Sequence, residues 1–385
     1  MSSIRNLVDK IKPTFAKGGK LGFLESTFDA FETFLFVPNT TTRRGSHIRD
    51  CNDMKRTMIM VVVALMPALL FGMYNVGYQH FLSQGATPAF WASFWFGFLK
   101  VLPMIVVSYV VGLGIEFGFA QVRGHEVNEG FLVSGLLIPM IMPVDIPLWI
   151  LGLSTAFAVV FGKEVFGGTG MNVFNPALVA RVFAFLAYTP SMSGTKVWIA
   201  GLTSGEGVVD GFSGATPLEN LVTTGQMGYS TMDAFLGFIP GSVGETSTVA
   251  ILIGAAILLF TGVASWRTMF SVFAGGLAMA LIFNVCGSSD YAQIPGWHHL
   301  IIGGFAFGAV FMATDPVTSA QTATGQYIVG FLIGLLAVLT RVVNPAYPEG
   351  MMLAILFMNA MAPLVDHYVV EASIKRRNKR IKTVK

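Results

Sequence analysis

Charged residues are scarce in this chain: Asp, Glu, Lys and Arg make up 12% of its 385 residues and apolar residues 54%, where an ordinary soluble domain carries about 25% charged residues. That excludes a soluble enzyme. A mean hydropathy of +0.66, 33 Phe and several uncharged runs of helix-spanning length define an all-α polytopic membrane protein. Cysteine is nearly absent. Cys51 and Cys286 are too few for a disulfide framework, a four-thiolate zinc site or an iron–sulfur cluster supplied by this chain alone. No Gly-x-x-x-x-Gly-Lys-Ser/Thr run exists, so Gly167-Gly168-Thr169-Gly170 is not a nucleoside-triphosphate loop. Gly112, Gly114 and Gly118 have the wrong spacing for a dinucleotide fingerprint. NADH is therefore not bound here by a Rossmann unit. His47, His80, His125, His298, His299 and His367 all fall at or beyond span ends, which leaves no axial pair for a mid-membrane haem. An electron carrier in this chain has to be a flavin or a quinone.

What charge there is lies unevenly. Of 24 Lys and Arg, 17 fall in residues 1–56 or after His367, where the tail reads KRRNKR. Beside membrane spans such clusters signify cytoplasmic retention and contact with anionic lipid rather than nucleic acid. The start, MSSIRNLVDKIKPTF, has no apolar core next to its basic residues, so it is expected to stay in the cytoplasm and not to act as a cleavable signal.

Ten apolar spans can be drawn, at about 57–79, 99–121, 129–143, 147–166, 174–189, 246–264, 268–286, 299–314, 326–343 and 349–366. The third, fifth and eighth fall short of the ~20 residues that cross the hydrocarbon, and are expected to be broken or re-entrant. The chain then divides into a cytoplasmic segment 1–56, a first five-helix unit 57–189, an exoplasmic loop 190–245, a second unit 246–366 and a basic tail 367–385. Within 20–38, Phe28, Phe31, Phe34 and Leu35 at helical spacing predict an amphipathic interfacial helix or a face packed on a neighbouring protein of a complex. GFLVSGLLIPMIMP at 130–143 matches GFAFGAVFMATDP at 304–316, and FNPALVARVFAF at 174–185 matches VNPAYPEGMMLAIL at 343–356. Five spans per repeat is an odd number, so the expected architecture is two inverted five-helix repeats with some helices broken.

The loop contains Asp210-Gly211-Phe212-Ser213-Gly214-Ala215-Thr216-Pro217-Leu218. Here the chain resembles proteins that carry FMN through a phosphoester bond to Thr, installed by a flavin transferase. By that resemblance Thr216 is the attachment residue, with Ser213, Gly214 and Ala215 keeping the backbone open and Asp210 available to the transferase or its metal. The resemblance extends over nearly the whole chain, through SHIRD at 46–50, GHEVNEGF at 124–131, KEVFGGTG at 163–170, FNPAL at 174–178, ATDPV at 313–317 and VVNPAYPEGMMLAILF at 342–357. It is to the NqrB family, membrane components of the Na+-translocating NADH:quinone oxidoreductases, to which RnfD of the Rnf complexes is related.

The resemblance implies a covalent FMN, a non-covalent riboflavin, part of a quinone-reduction site and Na+ export coupled to electron flow from NADH to ubiquinone. For riboflavin, Gly168, Thr169, Asn172 and Asn175 offer open backbone and amides; capping of broken helices by Asn175-Pro176 and Asn344-Pro345 is an equal reading. Gly112 and Gly114 make room for quinone, or for close helix packing, which is favoured. Glu116 and Asp366, near span ends, are candidates for an ion path, since a carboxylate in hydrocarbon costs about 2.5–3.5 kcal/mol. Lys163 and Glu164 are expected to be partnered, Asp315 to cap a broken helix, and Arg181 and Arg341 to be interfacial anchors or buried ion-pair partners. No catalytic residue or metal site is assigned. The expected protein is a multi-pass component of a multi-subunit complex in a bacterial inner membrane, inactive alone, with both termini cytoplasmic. An Rnf-type protein serving ferredoxin and NAD, and a flavin-free urea-type solute channel, are the alternatives.

Overall fold

The computed structural model describes residues 2–15, 28, 32, 42, 44–46, 48, 54–123, 130–205, 208–209, 212–287, 289–344 and 350–383. Its principal helices are α1 (Ser2–Phe15), α2 (Met54–Ser83), α3 (Phe90–Arg123), α4 (Phe131–Met140), α5 (Leu148–Gly162), α6 (Pro176–Ala187), α7 (Pro217–Thr224), α8 (Thr231–Leu236), α9 (Thr248–Phe260), α10 (Trp266–Cys286), α11 (Ala323–Val343) and α12 (Met351–Thr383). No strand occurs among the described residues. Six helices are long and apolar enough to cross a membrane: α2, α3, α5 with the turn that follows it, α10, α11 and α12. Together with the shorter apolar helices they make a multi-pass membrane protein.

Three apolar helices are too short to cross. α4, α6 and α9 have 10, 12 and 13 residues, about 15 to 20 Å at 1.5 Å per residue, against a hydrocarbon core of about 30 Å. The sequence signals for their ends are explicit. Asn175 caps α6, accepting the Ala177 N–H on Oδ1 at 3.0 Å, with Pro176 at the first helical position. Ser247 caps α9 in the same way through the Ala250 N–H. The eighth apolar run is broken more severely: a single turn, Phe305–Phe307, widens into a π-helix over Gly308–Met312.

Two expected span boundaries need correction. The second span begins at Phe90 instead of 99. The sixth is also short, because Ser247 starts it and Gly262, at φ +70°, follows its end. Through the basic tail α12 runs unbroken to Thr383, since the charged residues there are all good helix formers. Within the N-terminal segment a helix forms over Ser2–Phe15. Of the stretch 20–38 only Phe28 and Glu32 are described, with Phe28 stacked on Phe15 at 4.7 Å and Glu32 paired with Lys12 at 2.7 Å; Phe31, Phe34 and Leu35 lie outside the described residues.

Small residues bring the long helices close. A Cβ on Gly97 of α3 would strike the carbonyl of Met73 on α2, and one on Gly334 of α11 the carbonyl of Val272 on α10. One local arrangement also occurs twice. Phe131, the first residue of α4, fills the space beside Gly112 of α3, and the Lys163 ammonium lies 5.9 Å from its ring centre. Phe305 fills the space beside Gly276 of α10, and the Arg341 guanidinium lies 5.9 Å from its ring centre.

Gly97→Leu is expected to destabilise the protein by about 1–3 kcal/mol or more through overpacking, whereas Gly114→Leu, which meets nothing within 4 Å, should leave it unchanged. Melting temperatures of the two purified variants check this; equal values would refute the packing account.

Candidate functional site

Thr216 is the N-cap of α7, and its hydroxyl oxygen accepts the Glu219 N–H at 3.3 Å. The Thr-Pro-Leu-Glu order is the reason: a capping hydroxyl, a proline whose φ suits the first helical position, and an acidic residue in the first turn. Burial of Glu219 pushes its carboxyl above the ordinary value, against a lowering by the Thr216 backbone N–H. The three residues ahead of Thr216 are not the open strip the sequence suggests. Ser213 is exposed and takes the Ala215 N–H at 3.3 Å, but Gly214 and Ala215 are buried. The Tyr229 hydroxyl donates to the Ala215 carbonyl at 3.1 Å, and a Cβ on Gly214 would meet the Leu202 side chain at 2.6 Å. Small size here serves close packing of the loop and leaves the half-buried Thr216 facing a cavity. Asp210 lies outside the described residues.

That cavity has a volume of about 280 Å³ and is lined by Thr216, Trp198, Pro240, Glu245, Gly303 and Met352 among others. Glu245 and Ser242 line it, and both are bonded to Arg181. Arg181 of α6 donates to Glu245 at 2.6 Å and to the Ser242 hydroxyl at 3.3 Å. Gly304, at φ +68°, lies against the Glu245 carboxylate, where a Cβ would come within 2.7 Å; only glycine satisfies both demands. Arg341, fully buried, donates to the carbonyls of His299 at 2.9 Å and Gly303 at 2.8 Å. This first cavity is thus built where α7, the start of α9 and the broken eighth run meet.

A second cavity, about 100 Å³, lies where α4 and α6 begin and where α9 and the π-helical run end; Lys163, Ser134, Thr169, Asn175, Thr314 and Asp315 are among its lining residues. Thr169, Asn172 and Asn175 all line it, while Gly168, at φ +94°, sits over Glu164. Asn175 is engaged as a cap, and the Asn172 amide donates to the Phe174 carbonyl at 3.0 Å. Lys163 is ion-paired with Glu116 of α3, both buried, and Arg123 reaches Glu164 at 3.5 Å.

The remaining expected site residues are placed as follows. The space beside Gly112 is occupied by the Phe131 ring, while Gly114 is exposed with nothing nearby; the two glycines share no cavity. Glu116 is satisfied by Lys163. Asp366 of α12 accepts the Gln321 N–H at 2.6 Å, the Thr322 N–H at 3.1 Å and the Thr322 hydroxyl at 2.5 Å, and so holds the start of α11. Asp315 accepts from the Val317 N–H and the Thr318 hydroxyl. Glu245 was not singled out from sequence, where it counts as one more acidic residue of the loop. The signal was Arg181, a cation in an apolar span that demands an anionic partner.

A polytopic helical protein with broken helices around two cavities, one of them lined by a capping threonine, defines the class. The chain belongs to the NQR2, RnfD, RnfE family, whose model matches residues 41–375. It is similar to the B subunit of the Na(+)-translocating NADH-quinone reductase of Chromohalobacter salexigens, at 48% identity over 98% of this chain and 96% of the relative. It is similar also to the proteins so named in Pseudomonas aeruginosa and Azotobacter vinelandii, each 46% identical over 97% of this chain and 98% of theirs.

Asp366→Ala removes three acceptor bonds at the start of α11 and is expected to cost about 1–3 kcal/mol; Glu371→Ala, five residues further on the same helix, half-exposed and paired with the exposed Lys375 in the next turn, should cost about 0.5 kcal/mol or less. The melting temperatures of the two variants in detergent decide the point.

Proposed function

We propose that this chain is the membrane redox component of a Na+-translocating NADH:quinone reductase complex, working in a bacterial inner membrane with other subunits and inactive alone. The observation that carries the reading is the placement of Thr216, a half-buried hydroxyl on a helix cap lining a cavity, in a chain whose relatives at 46–48% identity bear that complex's name. The same relatives favour it over an Rnf-type protein, and family membership favours it over a solute channel.

The residues around Thr216 fit an FMN phosphoester. Backbone N–H groups at the start of α7 suit a phosphate, and a cavity of about 280 Å³ lies near the lower end of the range that takes small cofactors. Ser242 and Glu245 line the cavity and would be held in place there by Arg181. A bound flavin supplies the electron-transfer chemistry that side chains lack. Thr169, Asn172 and Asn175 would hold riboflavin in the inner cavity, with Lys163 at its wall. The flavin transferase has to reach Thr216 before the cavity is filled, which its half-exposed position permits.

We further propose the inverted five-helix repeat, supported by the matching Gly112–Phe131–Lys163 and Gly276–Phe305–Arg341 arrangements. The basic termini then share the cytoplasmic side, and the Thr216 loop faces out.

The test is flavin fluorescence of the SDS-denatured band. Wild type and Thr216→Ser are expected to fluoresce, and Thr216→Val to be dark and to lose most quinone reductase activity in the assembled complex. A dark wild-type band from cells that contain the transferase would sink the reading.

A further inference from the structure

α12 has 33 residues, about 50 Å of helix, and so outruns a hydrocarbon core of about 30 Å. The level at which it leaves the core is marked by α11. That helix has 21 residues, about 32 Å, which spans the core with little to spare and puts its first residues at one boundary of the membrane. Asp366 of α12 is tied there, accepting the N–H groups of Gln321 and Thr322 and the Thr322 hydroxyl. The helix from Asp366 to Thr383 therefore projects about 25 Å past that boundary. On it Arg376, Arg377 and Arg380 are exposed and make no ion pair among the described residues. Three and four residues apart, they form one patch of like charges that repel. Glu371, the only carboxylate of the projecting stretch, is taken by Lys375 at 2.7 Å.

The direction of the patch follows from the helical repeat. At about 100° per residue, Arg377 and Arg380 fall within about 40° of Asp366 around the helix, so they stand over the side of α12 turned to α11, above the exposed Ala323 and Thr324. We propose that this patch docks on an acidic surface of a water-soluble protein seated over this end of the molecule. Guanidinium forks match carboxylates in pairs of parallel hydrogen bonds, which supplies the counter-charge that the chain itself withholds. The basic run alone would suit a bilayer as well, but two features oppose that. Arg376 to Arg380 stand about 15–21 Å past the boundary, and headgroups fill about 5–8 Å of this, which leaves a gap of about one Debye length, 8 Å, or more. The patch also faces over the protein's own end and not outward over lipid. In the orientation proposed above, the partner is cytoplasmic. The inference rests on the reading that the chain works within a complex, and is independent of the flavin assignments.

Limited trypsin digestion of the purified complex tests this, because the patch is itself a row of trypsin sites. In neutral detergent, cleavage after Arg376, Arg377 and Arg380 is expected to be blocked in the assembled complex. It should appear once water-soluble polypeptides are stripped with about 1 M salt, which cuts electrostatic reach to about 3 Å. Free cleavage in the assembled complex overturns the proposal. So does protection that outlasts stripping, or that requires vesicles containing phosphatidylglycerol, which would assign the patch to lipid. Rebinding of the stripped polypeptides to stripped vesicles, followed by sedimentation, is the second measurement. Replacing all three residues, Arg376→Glu, Arg377→Glu and Arg380→Glu, should weaken rebinding by about tenfold or more. The corresponding three Lys substitutions, which keep the charge and lose only the fork, should weaken it far less. Rebinding of the Glu variant equal to wild type overturns the proposal; Glu and Lys are both good helix formers, so equal melting temperatures are expected throughout. Denatured-band fluorescence, run alongside, keeps the readings apart: a dark wild-type band sinks the Thr216 assignment and leaves this docking surface standing.

Discussion

A helix that stops inside the hydrocarbon leaves backbone N–H and C=O groups with no water to take them, and each must find a partner within the protein. Most of the polar chemistry of this chain answers that demand. The start of α6 is met by Asn175, that of α9 by Ser247 and that of α11 by Thr322 and Asp366. Around the broken eighth run, Arg341 donates to the carbonyls of His299 and Gly303 ahead of it, and Asp315 accepts an N–H and a hydroxyl after it. Where such ends converge, side chains cannot close the space completely, and the two cavities are the result. The sites are thus by-products of breaking helices in a place where breaks have to be satisfied.

The same demand explains why the buried charges come in sets. Lys163 with Glu116 and Arg181 with Glu245 join segments from different parts of the chain, 47 and 64 residues apart. Removing one member of such a pair strands the other in a medium where an unpaired ion is far more costly than the pair. The pairs therefore fix α3 to the end of α5, and α6 to the entry of α9, as well as charging the walls of the cavities. Arg341, bound to carbonyls, draws on the negative ends of peptide dipoles, and so keeps its charge while losing its exposure.

The sequence was informative where the cause is local. Asn175-Pro176 is a cap signal in two letters, the shortness of the third, fifth and eighth runs can be counted, and the Thr-Pro-Leu-Glu order announces a capped helix at Thr216. It was misleading where a local cause has two outcomes. Gly112 and Gly114 look alike on paper, yet one is pressed against Phe131 and the other is bare, because which face of α3 meets α4 is decided by packing. Thr261-Gly262, which closes the sixth run early, was hidden in a hydropathy window that continued through Val263 and Ala264.

Long-range pairing was beyond reach for a different reason. Apolar spans announce that Lys163, Arg181 and Arg341 need partners, but the choice among Glu116, Glu164, Glu245 and a set of carbonyls depends on how the helices are arranged in space. Lys163 and Arg341 lie alike against Phe131 and Phe305, yet their surroundings diverge: α3 has a glutamate at 116 facing Lys163, while carbonyls ahead of Phe305 accept from Arg341. A cation's seat against a ring is thus no guide to the groups that receive its charge, because those come from segments remote in the sequence.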